Sequence, residues 1–198
     1  ESKSYLWKEI IRAKISGQIK VLSLCNKSNS VIDVLKAYVK DIKLNDATNR
    51  EGLAAKMYFR ELFGKQFIRH NDDIFNSCLD YGYAIIRSQI CRSLVARGLN
   101  PHIGIFHKGI TNDFNLADDF MEIYRPIIDL WVNKNVTKDT IFNGDIRKEI
   151  IRIPTYKVKY EKNVTIINAI NVMVDKVINY FNTGDISLLV FPDIEYYE

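Results

Sequence analysis

Apolar residues recur every three or four positions along most of this chain, and that spacing limits the fold more than any other feature. "SYLWKEIIRAKISGQIKVLSL", residues 4–24, is the longest clear run, and a segment so patterned forms a helix with one stripe to bury. Ser30 is expected to cap a second helix running to about Ile42. "NDATNREGLAAKMYFRELFG", residues 45–64, supplies a polar loop, Thr48 or Asn49 as N-cap, and a helix that Gly64 closes. A long apolar helix is predicted from about Asp73 to Arg97, stopped by Gly98 and Pro101. "HIGIF", residues 102–106, reads as a buried connection or a short strand. The next helix spans 115 to about 133, where Pro126 is expected to kink or split it. Further on, 146–151 reads as a short helix, "RIPTYKVKY" alternates like a strand, and 161–182 reads as helix. The expected fold is predominantly α, a multi-helix domain with a short β element.

No run approaches the roughly 18 apolar residues of a membrane span, so no membrane segment is expected. Cys25, Cys78 and Cys91 show no CxxC spacing, which argues against a zinc knuckle or disulfide framework and for a reducing cytoplasm. The balance of 28 basic against 24 acidic residues, a net charge of +4, favours an anionic partner. The chain opens on Glu1 directly into a helical pattern and is expected to be a fragment or a processed chain.

Taken as a helix, residues 115–133 align Leu116, Phe120, Ile123 and Ile127 in one core-facing stripe. Asp119 and Glu122 flank that stripe, whereas Asp118 points away and is expected on the surface. Two carboxylates at the edge of a core repel each other and are costly to desolvate, so a cation is expected between them. That cation is either a metal ion or a basic side chain such as Arg125. Glu51 opens its helix on the face shared by Ala54, Ala55, Tyr58 and Leu62. The helix dipole alone explains a carboxylate there, and so does a site reached by that small and apolar face. His107 follows the "HIGIF" run where a loop begins, and is either a hydrogen-bonded boundary residue or a ligand. His70, His102 and Asp113 read as loop surface. Glu, His and Glu with an Asp nearby form a hard, oxygen-rich set suited to Mg²⁺ or Mn²⁺ rather than structural zinc.

Three stretches together, "NREGLAAKMYFRELFG" (49–64), "NSCLDYGYAIIRSQICRSLVARGLNPHIGIFH" (76–107) and "NLADDFMEIYRP" (115–126), resemble a known family. They look like the catalytic C-terminal domain of the CRISPR-associated integrase and endonuclease that captures new spacers, the first protein of the adaptation module. The resemblance implies that Glu51, His107 and Glu122 are catalytic and bind a divalent metal, Mg²⁺ or Mn²⁺. Asp119 matches the accompanying acid, as a ligand, a partner behind the ligands, or a DNA-facing charge. The wording is most similar to the version found beside the single-protein effector nuclease of type II systems, with Asp80 standing where that version has Asn. By this likeness residues 1–198 are the C-terminal helical catalytic domain, and the family's β-rich N-terminal domain, which mediates dimerisation, is absent.

The function so implied is the joining of 3′-hydroxyl ends of prespacer DNA into the repeat of a CRISPR array by transesterification. The implied partners are double-stranded prespacer and repeat DNA, a second copy in the full-length homodimer, and a small dimeric adaptation protein. The effector nuclease and other type II adaptation proteins are further partners of the same kind. Lys108, Arg60, Arg87 and Arg125 are the candidate phosphate contacts, while Tyr81 and Tyr83 read as core rather than as base-stacking residues. Replacing Glu51, His107 or Glu122 by Ala is expected to abolish joining with little loss of fold, and Asp118→Ala to be nearly silent. The rival readings are a non-catalytic helical DNA- or protein-binding module, and a stand-alone metal-dependent DNA hydrolase.

Overall fold

A computed structural model of the chain describes residues 1–197. Among these the order is α1 (Ser2–Leu24), α2 (Asn29–Asp41), α3 (Arg50–Phe63), α4 (Ile74–Val95), α5 (Asn115–Asn135) and α6 (Gly144–Arg152). The strands β1 (Lys157–Tyr160) and β2 (Lys162–Thr165), the helix α7 (Ile166–Thr183) and the strand β3 (Tyr196–Tyr197) follow. No helix among the described residues is long and apolar enough to cross a membrane.

The centre of the molecule is α5, packed between α1 and α4. The expected stripe of Leu116, Phe120, Ile123 and Ile127 is buried, but so are Ala117, Met121, Tyr124, Ile128, Leu130, Trp131 and Val132. The helix is therefore enclosed on nearly all sides, and its acids go into the interior with it. At the crossing with α1, a Cβ on Gly17 would lie 2.9 Å from Cγ of Pro126, so only glycine lets the two backbones approach this closely.

Four expectations change. Pro126 does not split its helix in two: α5 runs from Asn115 to Asn135 with the proline inside it. The proline deprives only the Glu122 carbonyl of its usual amide partner, and burial on both sides of the break holds the helix together. Of the two readings of "HIGIF" the strand falls and the connection holds, a tight loop with Gly104 and Ile105 buried. The predicted helix over 161–182 begins only at Ile166, because Glu161 turns the chain with φ 57 and residues 162–165 pair antiparallel with β1. Thr165 then caps α7 by accepting the Asn168 amide. The second helix starts at Asn29 with Ser28 at its N-cap, rather than at a Ser30 cap.

After α7 the chain returns across α1. Lys20 on α1 binds Asp193 at 2.5 Å and Glu195 at 3.2 Å, Ile194 is buried against Gly17, and β3 pairs with β1. The acidic and aromatic end of the sequence is thus packed on the fold over its described residues.

Candidate active site

Asp119 organises the loop that carries His107. Its carboxylate is fully buried, and Oδ2 accepts the backbone amides of Ile105 at 2.5 Å and Phe106 at 3.1 Å. Oδ1 accepts the His107 amide at 3.2 Å and stands 2.7 Å from Nδ1 of the His107 ring. Such a wrap needs glycine at 104, where a Cβ would meet the His107 carbonyl oxygen at 2.2 Å. A carboxylate only accepts, so Nδ1 carries the imidazole proton and Nε2 is the nitrogen left for a ligand. The hydrogen bond to Asp119 raises the His107 pKa above its ordinary value, against the opposing effect of burial. Trp7 of α1 stacks on Phe106 with centroids 4.4 Å apart and meets the His107 ring edge-on at 5.8 Å. Asn115 ties the same loop down by donating to the carbonyls of His102, Gly109 and Asn112.

Glu51 and Glu122 come together from two helices over a third. Lys14, buried on α1, places its ammonium 2.6 Å from Oε1 of Glu51 and 2.5 Å from Oε2 of Glu122. The other Glu122 oxygen, Oε1, accepts Nε of Arg125 at 2.9 Å. Arg125 in turn lies over the Tyr83 ring at 4.5 Å. Burial pushes the Glu122 carboxyl up, but Lys14 and Arg125 outweigh it and hold the group below its ordinary pKa. For Lys14 burial works downward, and Glu122 and Glu51 together leave its pKa raised. Glu51 is set by Asp46, whose oxygens accept the amides of Arg50 at 2.8 Å and Glu51 at 2.9 Å. Asn49 occupies the N-cap position of α3 without a side-chain bond, so Asp46, not Thr48 or Asn49, does the capping.

A buried carboxylate lies behind this cluster. Asp129 accepts the hydroxyls of Tyr58, at 2.9 Å, and Tyr83. Burial raises its pKa to about 6 although both tyrosines favour the charged form. Tyr83 therefore touches Asp129 with its hydroxyl and Arg125 with its ring face. Its place in the core is as expected from sequence.

Of the predicted residues, the structure joins Glu51 to Glu122 through Lys14, and His107 to Asp119. The salt bridge to Arg125 expected as the alternative to a metal is present on Glu122, which Lys14 also pairs, whereas Asp119 shares neither cation and is satisfied by backbone amides and His107. Among the described residues no three His, Cys, Asp or Glu side chains are grouped to hold a metal ion. The Glu51 and Glu122 carboxylates do fit a cation between them, since both already share one, and their hard oxygens suit Mg²⁺ or Mn²⁺. Asp118, expected on the open surface, is instead tethered: it accepts Nδ2 of Asn112 at 2.7 Å and faces Arg87 at 3.7 Å.

Arg87, Arg125 and His107 line one polar cavity of about 380 Å³ together with Arg69, His70, Tyr83 and the acids Asp80 and Asp118. Lys108 lies on a neighbouring cavity lined by the 102–112 loop. Arg60 is exposed on α3, nine residues beyond Glu51 and so roughly 13 Å along the helix, and is not brought to the cluster. Lys14, Asp46, Arg69, Asn115 and Asp129 were not foreseen. Lys14 sits inside the apolar run of α1, and a lysine within such a run is the one signal that could have marked it.

A family model described as "CRISPR associated protein Cas1" matches residues 1–153. The "CRISPR-associated endonuclease Cas1" of Neisseria meningitidis serogroup C (strain 8013) is 33% identical over 187 residues, covering 92% of this chain and 60% of that protein. A casposase bound to integration product superposes with a TM-score of 0.74 over 99% of this chain and 65% of its own, at 23% identity. A chain of a Cas6-RT-Cas1–Cas2 complex superposes with a TM-score of 0.72 over all of this chain and 25% of its own, at 18% identity. At these identities the two structural likenesses concern the fold, a helical domain with a small sheet. This chain spans about 60% of the length of the Neisseria relative.

Proposed function

The chain belongs to the Cas1 family of CRISPR-associated proteins, and from that premise we propose that it is the helical catalytic part of a metal-dependent DNA endonuclease and integrase. The observation that carries this reading is the convergence of Glu51 and Glu122, from α3 and α5, on one cation position. Glu51 and Glu122 would hold Mg²⁺ or Mn²⁺, with Nε2 of His107 the further ligand that the family resemblance implies, and the ion would supply charge that polarises a phosphodiester and steadies the oxyanion of its transition state. The reaction is an exchange of one phosphodiester for another. A prespacer 3′-oxygen bonds to a repeat phosphorus, the bond from that phosphorus to the neighbouring 3′-oxygen breaks, and the attacker's proton ends on the departing oxygen.

The chain's own groups have separable parts in this. Asp119 keeps the proton of His107 on Nδ1 and so presents Nε2. Arg125, tied to Glu122 and braced on Tyr83, holds that carboxylate in one orientation. Arg69, Arg87 and Arg125 around the polar cavity give a phosphate backbone a place beside His107, and Lys108 extends the basic surface along the loop. The partners proposed are prespacer and repeat DNA, a second copy of the full-length protein, and a small dimeric adaptation protein of the Cas2 kind. The casposase bound to integration product and the Cas2-containing neighbour support the first and the last of these by likeness. The "DYGYAI" and "LADDFMEIYRP" wording supports the further proposal that the protein works in a type II system beside its effector nuclease.

The test is strand joining by the full-length protein given a 3′-hydroxyl DNA and a repeat-containing duplex with Mn²⁺. Glu51→Gln is expected to reduce joined product at least a hundredfold. Joining at the wild-type rate would remove Glu51 from the site, and cleavage with no joined product would assign the protein to the hydrolases. A second reading, a helical DNA-binding module without chemistry, has in its favour that Lys14 and Arg125 already neutralise both carboxylates. It predicts DNA binding that is indifferent to Mn²⁺.

A further inference from the structure

The cluster of Glu51, Glu122, Lys14 and Arg125 is electrically neutral, with two negative and two positive groups. A divalent ion added to it would leave a buried excess of two positive charges, with an ammonium among the nearest neighbours. The two native cations differ in how easily they can leave. Arg125 is held by its bond to Glu122 Oε1, by the Tyr83 ring beneath it and by a guanidinium that stays charged. Lys14 is a point charge on a flexible four-carbon stem, held by the carboxylates alone in the contacts described, and it occupies Oε2 of Glu122 and Oε1 of Glu51. Glu51 is about a quarter exposed, so the cluster opens to solvent on the α3 side.

We propose that Lys14 is the protein's internal stand-in for the divalent ion. Its ammonium holds Glu51 and Glu122 together in the metal-free chain and withdraws when Mg²⁺ or Mn²⁺ enters between them. This rests on the reading of Glu51 and Glu122 as metal ligands. Lys14 is then a positioning residue with two effects: it keeps the carboxylates from repelling one another apart before loading, and it weakens divalent binding because an ammonium must be expelled. A phosphodiester entering beside the loaded ion restores neutrality, so metal and DNA bind cooperatively.

Two measurements on the purified chain test this. Free Mn²⁺ is counted by electron paramagnetic resonance during titration of wild type, Lys14→Met and Glu51→Gln. The acetylation of Lys14 by an amine-reactive ester is followed by mass spectrometry on the wild type alone, which needs no folded variant. The expected results are Mn²⁺ binding at least tenfold tighter in Lys14→Met, much weaker in Glu51→Gln, and a Lys14 amine protected in chelator that becomes reactive along the binding curve. Wild type and Lys14→Met binding Mn²⁺ equally, or Lys14 acetylation that does not move while Mn²⁺ binds, would overturn the role of Lys14 and leave the metal site standing. No Mn²⁺ binding by any of the three would overturn the site and Lys14 together.

Discussion

Nδ1 of His107 lies 2.7 Å from Oδ1 of Asp119, on a carboxylate that also receives the amides of residues 105, 106 and 107. One buried acid therefore fixes both the ring and the loop that carries it. Replacing it by Asn turns an amide nitrogen, itself a donor, toward groups that all donate. Asp119→Asn is expected to lose about 2–3 kcal/mol of stability, and His107→Ala, which trims a half-exposed ring, about 1 kcal/mol or less. Urea unfolding of the two variants measures both. Wild-type stability in Asp119→Asn would show that the loop is held by something else.

The expectation that Ala at Glu51, His107 or Glu122 leaves the fold intact does not extend to Glu122. That carboxylate is 4% exposed and neutralises both Lys14 and Arg125. Glu122→Ala strands two cations, one of them with no other acid beside it in the cluster, and is expected to cost about 3–5 kcal/mol. Glu51→Ala is expected to cost about 1 kcal/mol, because Lys14 keeps Glu122. Denaturant midpoints of the two variants should fall in that order, and the reverse order would contradict the assigned pairing.

Asp129 gives a pH dependence of known sign. Its carboxyl, raised by burial from 3.8 to about 6, keeps its proton in the fold where the unfolded chain has released it. Stability therefore falls as pH rises from about 4 to about 6, and the whole loss remains above that window. Asp129→Asn cannot ionise and escapes the loss. Its stability relative to wild type should rise by about 2 kcal/mol between pH 4 and pH 7, read from urea melts at both. A difference that is flat with pH would show that Asp129 titrates normally.

Gly17 and Pro126 offer a double-mutant cycle. Gly17→Ala puts a methyl 2.9 Å from Cγ of Pro126 and is expected to cost about 1–3 kcal/mol through overpacking, less up to about 1 kcal/mol gained in helix propensity. Pro126→Ala removes that Cγ and returns an amide to the Glu122 carbonyl. In its background Gly17→Ala should be at least about 1 kcal/mol milder, and strict additivity would show that the pair does not touch.

The helices were legible in the sequence because each announces one apolar stripe, and α3 could be bounded at both ends by a polar loop and a glycine. The strand β2 was not, because residues 162–165 carry a single apolar residue, Val164, and merge into the pattern of α7. Helical phase alone separated Asp119 and Glu122 from Asp118. It did not show that α5 is enclosed all round by α1 and α4, although the apolar Met121, Tyr124, Ile128, Leu130 and Trp131 outside the stripe carry that signal. Glu51, His107 and Glu122 were singled out by motif, whereas Lys14 was hidden because its partners lie 37 and 108 positions away, as the pairing of residue 14 with 51 and 122 requires. Tertiary charge pairing has no local spacing to read.

Lys14 meets Glu122, and three residues later Gly17 meets Pro126, four residues on from Glu122. One contact is electrostatic and the other steric, yet both specify the same alignment of α1 on α5. A slip by one helical turn, about 5.4 Å, would pull the ammonium off its carboxylate and drive a side chain against the proline ring in the same movement. The joint is keyed like a shaft and slot and does not slide. Rearrangement at the carboxylates is thereby confined to side-chain swings, while the helices beneath them keep one register.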